Sequence, residues 1–257
     1  MKKKSIVMTM AALMAITTVT GCSSKAVSSD GTFTPKETIN WTVTSSPGGG
    51  SDIYTRMISD IMTKDQLVNG QPIIVTNKTD GSGEIGRNEV ATTKGSKADY
   101  TLLTLNRSSN FRILAVMAVD KQLIFKGEQT KYADFKEAIE AAENGTKIVI
   151  GGSKGDDIAT YDAMLEEIGI SKDVMSYITY DSTGDAITAA LGGHVEFVIS
   201  KPAAASEYVT AGSLIPVLAL STERYTGNLA DAPTLSEIGD YEDVEVPVWR
   251  GVAAMLL

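Results

Sequence analysis

Glycines and hydroxyl side chains near the start of the chain have the types and spacing that hold an anion. Residues 39–56 read INWTVTSSPGGGSDIYTR. Pro47 ends a predicted strand, and the glycines 48–50 would let a ligand approach the backbone closely. Ser51 or Asp52 would then cap a helix whose unpaired N–H groups point to the same place. The segment therefore predicts an anion-binding turn, and a turn that needs glycine for its geometry alone is the alternative.

Three further glycine-bearing turns have the same chemistry. They read NKTDGSG at 77–83, GGSKGD at 151–156 and YDSTG at 180–184, and each lies between a predicted strand and a predicted helix. Ordinary turn chemistry explains any one of them. Together, the four turns predict a cleft lined with backbone N–H groups and hydroxyls, which can hold a carboxylate or another oxyanion without a metal.

Several patterns that would indicate catalysis or nucleotide binding are missing from the chain. The glycines 48–50 are not followed by the Lys-Ser or Lys-Thr of a P-loop, and HExxH and CxxC do not occur. The single histidine, His194, follows two glycines at a predicted turn, where an exposed polar role is expected. Core packing of Trp249 and a surface position for the Arg250 cation explain this pair as well as a functional role does. We therefore predict no enzymatic activity, no metal and no cofactor.

Strand and helix patterns alternate from residue 39 onwards. This alternation predicts an α/β protein with mainly parallel sheets flanked by helices, which bind ligands at the carboxyl ends of the strands. The predicted strands are Ile39–Thr44, Pro72–Asn77, Tyr100–Leu105, Gln122–Phe125, Lys147–Gly151, Met175–Thr179, Phe197–Ile199, Ile215–Ser221 and Val246–Val252. The predicted helices are Ser51–Met62, Glu84–Thr93, Tyr132–Asn144, Asp157–Ile168, Gly184–Leu191 and Ala203–Ala211.

The first 36 residues indicate export. Three lysines precede an apolar run that is too short to span a bilayer, and the run leads to Thr20-Gly21-Cys22. This ending is similar to the bacterial lipobox, in which the cysteine is lipidated and becomes the first mature residue. We therefore expect a lipoprotein signal peptide at 1–21, an extracytoplasmic protein anchored to the membrane through Cys22, and a flexible tether at 22–36. An ordinary signal peptide with an incidental cysteine is the alternative.

The charge of the chain restricts its partners. The formal net charge of −9 becomes −12 when the signal peptide, with three lysines and no acids, is removed. Such a charge disfavours nucleic acid and anionic lipid surfaces as partners. A small anion in a cleft is still allowed, because charges beyond about 8–10 Å are screened.

The order of these motifs resembles the extracytoplasmic solute-binding proteins of tripartite tricarboxylate transporters, the TctC or Bug family. The resemblance covers about residues 39–257. It lies in the Gly-Gly turn with Asp52 and Arg56, in the turn and Ile-Gly of 77–86, in the strand 99–103, in the segment 180–196 with its LGGHVE, and in spaced matches over 211–239.

The resemblance implies a two-lobed, type II periplasmic-binding-protein fold with a hinge. Lobe 1 would comprise 37–119 plus 222–257 and lobe 2 would comprise 120–221. The implied function is capture, by a monomer, of a small carboxylate for integral-membrane permease subunits. The implied ligand-binding residues are Ser45, Ser46, Gly48, Gly49, Ser51, Asp52, Gly81, Ser82, Gly83, Ser153, Lys154, Gly155, Asp156, Asp181 and Ser200.

The chain also departs from the family pattern. Family members continue for roughly sixty residues beyond the Trp-x-Gly strand, so lobe 1 is expected to be incomplete at its C-terminal end and to expose apolar surface. Asp156-Asp157 and Ser200 replace residues that are usual in the family, and the identity of the ligand therefore stays open. A binding module for a sensor, and a truncated copy without function, are the alternatives to transport.

Overall fold

The computed structural model of the protein describes residues 33–105 and 111–255, which form two five-stranded sheets with helices on their faces. The predicted signal peptide, Cys22 and most of the predicted tether lie outside these residues. The strands are β1 Ile39–Val43, β2 Ile73–Asn77, β3 Thr101–Leu105, β4 Phe111–Asp120, β5 Gln122–Gly127, β6 Ile148–Ser153, β7 Met175–Tyr180, β8 Phe197–Ser200, β9 Leu214–Leu220 and β10 Val248–Met255. The helices are α1 Gly50–Lys64, α2 Glu84–Thr92, α3 Phe135–Glu143, α4 Asp156–Ile168, α5 Thr183–Leu191, α6 Pro202–Thr210 and α7 Leu235–Ile238.

Both sheets follow one plan. The first has the strand order β2-β1-β3-β10-β4, and β10 is antiparallel to both of its neighbours. The second has the order β7-β6-β8-β5-β9, and β5 is the reversed strand. Each sheet thus contains three adjacent parallel strands whose carboxyl ends lie at one edge, where α/β proteins bind ligands.

Helices cover both faces of the second sheet. Aromatic and aliphatic side chains of α3 and α4 pack on one face, around Phe135, Met164 and Phe197. Alanines of α5 and α6 pack on the other face, against Leu123 and Phe125. The small alanine side chains let these two helices lie close to the sheet. On the first sheet, α2 and α1 contribute to two smaller cores on opposite faces.

Local sequence explains where several helices begin. The Asp134 side chain accepts the Glu137 N–H at 2.9 Å and caps α3, and the Ser182 hydroxyl does the same for α5. Pro202 occupies the first turn of α6, where its missing N–H leaves no intrahelical bond unmade. A capping box formed by Thr234 and Glu237 begins the short α7.

Two segments connect the sheets and are tied together. The chain leaves the first sheet after Asp120 and returns through the residues that precede β10. The Lys121 ammonium contacts the Glu245 carboxylate at 2.8 Å, and the same carboxylate accepts the Thr222 N–H at 3.2 Å. The hydrogen bond from Lys121 lowers the pKa of Glu245 below its ordinary value. This ion pair holds the two connections side by side, as a hinge requires.

Residues 227–238 pack on the second sheet. Leu229 and Ala232 join the core below α5 and α6, and Leu235 joins the core below α3 and α4. The Ala219 N–H also donates to the Pro233 carbonyl at 2.7 Å. These residues fall in the segment predicted to belong to lobe 1, and they lie on the second sheet because their apolar side chains are buried there. The predicted lobe limits stay a prediction. The chain returns to the first sheet at β10.

The nine predicted strands and six predicted helices are all present, with ends shifted by three residues or fewer. Strand β4 was not predicted. Its sequence, FRILAVMAVD, is mostly apolar. It shows neither the two-residue period of a strand nor the 3.6-residue period of a helix, so periodicity does not identify it. Four of its large apolar side chains are more than 40% exposed, namely Ile113, Leu114, Val116 and Val119. The described helices include none that is long and apolar enough to cross a bilayer.

Phe197 at the centre of the second sheet should be essential for stability. It is fully buried, and its ring packs against those of Tyr132 and Phe135, with centroids 5.9 and 5.2 Å away. We expect Phe197→Ala to lower the free energy of unfolding by about 3–5 kcal/mol, measured by urea titration. Phe33→Ala, at a position 42% exposed, is the matched control and should have a much smaller effect. Equal effects of the two changes would contradict this account of the core.

Candidate functional site

The cleft between the lobes is formed by strand-to-helix turns from both sheets. A cavity of about 110 Å³ lies where α1, α4 and α5 begin. Its lining consists of small, hydroxyl and charged residues: Ser45, Ser46, Gly49, Gly50, Ser51, Ser153, Lys154, Asp156, Asp181, Ser182, Thr183, Lys201 and Arg250. The first N–H groups of a helix lack intrahelical acceptors, so three helix N-termini supply donors here.

A second, larger cavity shares part of this lining. Its volume is about 630 Å³, and it extends towards the turn that precedes α2. Ser45, Ser46, Ser51, Lys154 and Asp181 border both cavities. The Ser45 hydroxyl is buried and has no hydrogen-bond partner among the described residues. A buried hydroxyl of this kind is usually paired, so its position at the cleft marks it for a ligand or a water molecule.

Asp52 holds the first glycine turn in place. One carboxylate oxygen accepts the Gly48 N–H at 3.0 Å, and the other accepts Arg56 Nε and Asn77 Nδ2, both at 2.9 Å. Asn77 also donates to the Ser45 carbonyl at 2.9 Å. Both carboxylate oxygens of Asp52 are therefore occupied by the protein. The side chain positions the turn rather than pointing to a ligand.

The hydrogen bonds to Asp52 also determine its charge state. Burial acts to raise the pKa of this carboxyl, but the hydrogen bonds from Arg56, Gly48 and Asn77 outweigh it, and the pKa lies below its ordinary value of 3.8. Asp52 is thus ionised at neutral pH and contributes its hydrogen bonds to the folded state.

Asp157 holds the corresponding turn of the second lobe. It is fully buried, and one oxygen accepts the Ser153 N–H at 2.8 Å and the Ser153 hydroxyl at 2.5 Å. The other oxygen accepts the ammonium of Lys201, which is itself buried at the end of β8. Both lobes therefore use an aspartate that accepts the N–H four residues earlier and is neutralised by a cation.

Polar contacts also join the two lobes across the cleft. The Ser46 hydroxyl of the first lobe donates to the Asp181 carbonyl of the second lobe at 3.2 Å. The Asp181 carboxylate, 77% exposed, pairs with Lys154 at 2.5 Å, and this hydrogen bond lowers the pKa of Asp181. The Ser46 to Asp181 hydrogen bond is thus an interlobe contact at an exposed position.

Arg250 lies buried at the base of the cleft. Its Nε donates to Asp120 at 2.9 Å, and the two side chains are 3% and 2% exposed. The other oxygen of Asp120 accepts the Tyr54 hydroxyl at 3.0 Å. Burial, together with the charge of Asp120, raises the pKa of Tyr54 to about 12. The interpretation of Arg250 as a surface cation is wrong, because β10 lies inside the first sheet and directs this side chain to the cleft.

A match to a family of known proteins agrees with this arrangement. The family model described as the tripartite tricarboxylate transporter family receptor, TctC, matches residues 55–255. The chain belongs to this family. The predicted family is thereby confirmed, and TctC receptors are periplasmic solute-binding proteins.

Known relatives are distant in sequence and similar in fold. BugT of Bordetella pertussis is 27% identical over 241 residues, which are 86% of this chain and 71% of BugT. The solved structure of MatC from Rhodopseudomonas palustris with bound malate is 21% identical, has a TM-score of 0.70, and covers 86% of this chain and 79% of its own. A second R. palustris protein, solved with adipate, is 19% identical and has a TM-score of 0.72. The match covers 86% of this chain and 77% of that protein. These structures show the fold, and the predicted two-lobed type II fold is confirmed.

The cleft of this TctC receptor contains most of the predicted site residues. The residues that line one or both cavities are Ser45, Ser46, Gly49, Ser51, Ser82, Ser153, Lys154, Gly155, Asp156 and Asp181. The predicted residues outside both linings are Gly48, Asp52, Gly81, Gly83 and Ser200. Ser200 is fully buried and donates to the Lys201 carbonyl at 3.2 Å, so its hydroxyl is bonded within the second lobe.

Two residues of the smaller cavity, Lys201 and Arg250, were not predicted from the sequence. Gly50, Ser182 and Thr183 lie in turns that were predicted to line the cleft, although they were not singled out as ligand-binding residues. Lys201 follows a strand and precedes a proline, which also suggests the end of a strand at the ligand side. No local sequence signal placed Arg250 at the cleft, because it lies on β10, a reversed strand that joins the first sheet from a distant part of the chain.

Replacing Asp52 should destabilise the first lobe at neutral pH. An asparagine side chain at this position would place a donor against Gly48 or Arg56, so we expect Asp52→Asn to lower the free energy of unfolding by about 1–3 kcal/mol at pH 7. The pKa of Asp52 is lowered on folding, so its contribution is complete above 3.8 and is lost as the pH falls through the lower folded value. The difference between wild type and variant should shrink over this acid range in denaturant titrations. Asp60→Asn, exposed on the same helix, is the control, and an equal effect there would contradict the proposed role.

Proposed function

We propose that this chain captures a small carboxylate between its lobes and presents it to the integral-membrane permease subunits of a tripartite tricarboxylate-type transporter. We further propose that Cys22 is lipidated and anchors the receptor to the outside of the cytoplasmic membrane. The observation that carries the proposal is the polar cavity on which the N-termini of α1, α4 and α5 converge.

The chemistry of this cavity suits a carboxylate. Helix N-termini present N–H groups and a positive dipole end, and Ser45, Ser46 and Ser51 add hydroxyls. Three cations line the cavity: Arg250 comes from the first lobe, and Lys154 and Lys201 come from the second. Relatives with the same fold have been solved with malate and with adipate, which supports the same ligand class for this chain.

Binding between lobes also explains how a permease would recognise the loaded receptor. A ligand that contacts both lobes favours the closed arrangement over the open one, in proportion to the contacts it makes only there. The paired hinge segments at Lys121 and Glu245 let the lobes rotate without separating. No bond is made or broken in this process, which is consistent with a receptor and not an enzyme.

Calorimetric titration of the full chain, purified in mild detergent, tests the ligand class. We expect binding of at least one acid among malate, succinate, adipate and citrate. Neutral sugars of similar size should not bind. Ser45→Ala should weaken that binding about 5- to 20-fold, because its buried hydroxyl has no partner among the described residues. Ser236→Ala, remote from both cavities, is the control. Failure of all four acids to bind would contradict the proposal.

Metabolic labelling tests the anchor. In bacteria fed a radioactive or clickable palmitate analogue, the wild-type chain should carry the label and sediment with membranes. Cys22→Ser should lose the label and remain in the soluble exported fraction, because Cys22 is the single cysteine of the sequence. Equal labelling of the serine variant would disprove lipidation at this residue.

A further inference from the structure

We propose that Arg250 binds a carboxylate of the ligand, and that Asp156 is the protein carboxylate which the ligand displaces from it. This inference rests on the proposed function and names the residue that selects for charge within the same cleft. Arg250 belongs to the reversed strand of the first sheet, whereas Asp156 begins α4 of the second lobe.

One edge of the Arg250 guanidinium is fixed. Nε donates to Asp120 at 2.9 Å, a normal length for a charge-assisted bond, and Asp120 is held in turn by Tyr54. The guanidinium also packs on Gly50: a Cβ at that position would lie 3.0 Å from Nη2. The side chain is therefore positioned before any ligand arrives, which lowers the entropic cost of binding.

The edge that faces the cleft is held much less tightly. Nη1 lies 3.3 Å from the Ser51 hydroxyl and 3.6 Å from an Asp156 carboxylate oxygen. Charge-assisted N–H to carboxylate bonds normally measure about 2.7–2.9 Å, so neither contact is a close one. A planar guanidinium binds a carboxylate best through two parallel bonds. A ligand carboxylate in the cavity of about 110 Å³ would make closer contacts than Asp156 does here.

Lys201 makes such a ligand bridge the lobes. Its ammonium lines the same cavity from the second lobe, and the ammonium has three donors, of which Asp157 accepts one. A carboxylate that contacts Arg250 and Lys201 is bound by the first and second lobes together. Because Asp156 and one carboxylate of the ligand carry the same charge, exchange of one for the other at Arg250 keeps the charge on the guanidinium balanced.

Binding of malate and succinate to variants of the full chain tests the inference. Arg250→Gln alone would leave Asp120 buried without its cation, so the decisive comparison is Asp120→Asn against Asp120→Asn/Arg250→Gln, in which both buried charges are removed. We expect the double variant to bind about 10- to 100-fold more weakly than Asp120→Asn. Circular dichroism and thermal unfolding should show that both variants are folded. Arg224→Gln, an exposed arginine paired with Glu237, is the matched control and should bind as the wild type does.

Asp156→Asn tests the displaced partner. Removing the competing charge should tighten binding of both dicarboxylates by about threefold or more. Weaker binding by this variant would overturn the assignment, because it would show that Asp156 helps to hold the ligand. Equal affinity of the double variant and Asp120→Asn would overturn the role of Arg250 while leaving the proposed function intact. A wild-type chain that binds none of the acids would instead reject the proposed function, and this inference with it.

Discussion

The cleft depends on a carboxylate that is held within the first turns of a helix and accepts a backbone N–H from the turn before it. In one lobe this group is Asp52, which binds the Gly48 N–H; in the other it is Asp157, which binds the Ser153 N–H. Each bond prevents the turn from collapsing into the cleft, and it leaves the remaining amides and hydroxyls directed there. Asp52, which the sequence indicated as a ligand contact, therefore shapes the site instead.

The two lobes solve the same problem with different cations. Arg56 lies on the same helix as Asp52 and is half exposed, so its ion pair is local and accessible to solvent. Lys201 comes from a separate strand and is buried with Asp157. Removing one partner of an ion pair destabilises the folded protein far more when the pair is buried than when it lies at the surface. The second lobe thus ties its turn to its central sheet through a buried cation. In the first lobe the cation lies on the same helix as Asp52, and the neutral side chain of Asn77 at the end of β2 ties the turn to the sheet.

Local patterns in the sequence were sufficient for most of the fold. The turns at Gly48–Gly50, 151–156 and 180–184 were located because glycine and hydroxyl residues have distinct local conformations, and the structure places residues of each at the cleft. Residues that reach the cleft from non-local positions were harder to identify. Arg250 lies beside Ser51 through a strand inserted from far along the chain, and no local period reports such an insertion. Likewise, hydrogen-bond geometry alone separates Asp52, a support of the turn, from a ligand contact.

The reversed strand β10 has a consequence for how the protein is made. It lies between β3 and β4, yet it comes after every other described element in the chain. Until β10 has emerged, β3 and β4 have no common neighbour, and the apolar side chains of β4 lack a paired strand. The second sheet, built from one continuous stretch, is complete much earlier. During vectorial synthesis the second lobe can therefore form before the first sheet closes, and closure of that sheet requires contacts between residues about 130 positions apart, such as Asp120 and Arg250.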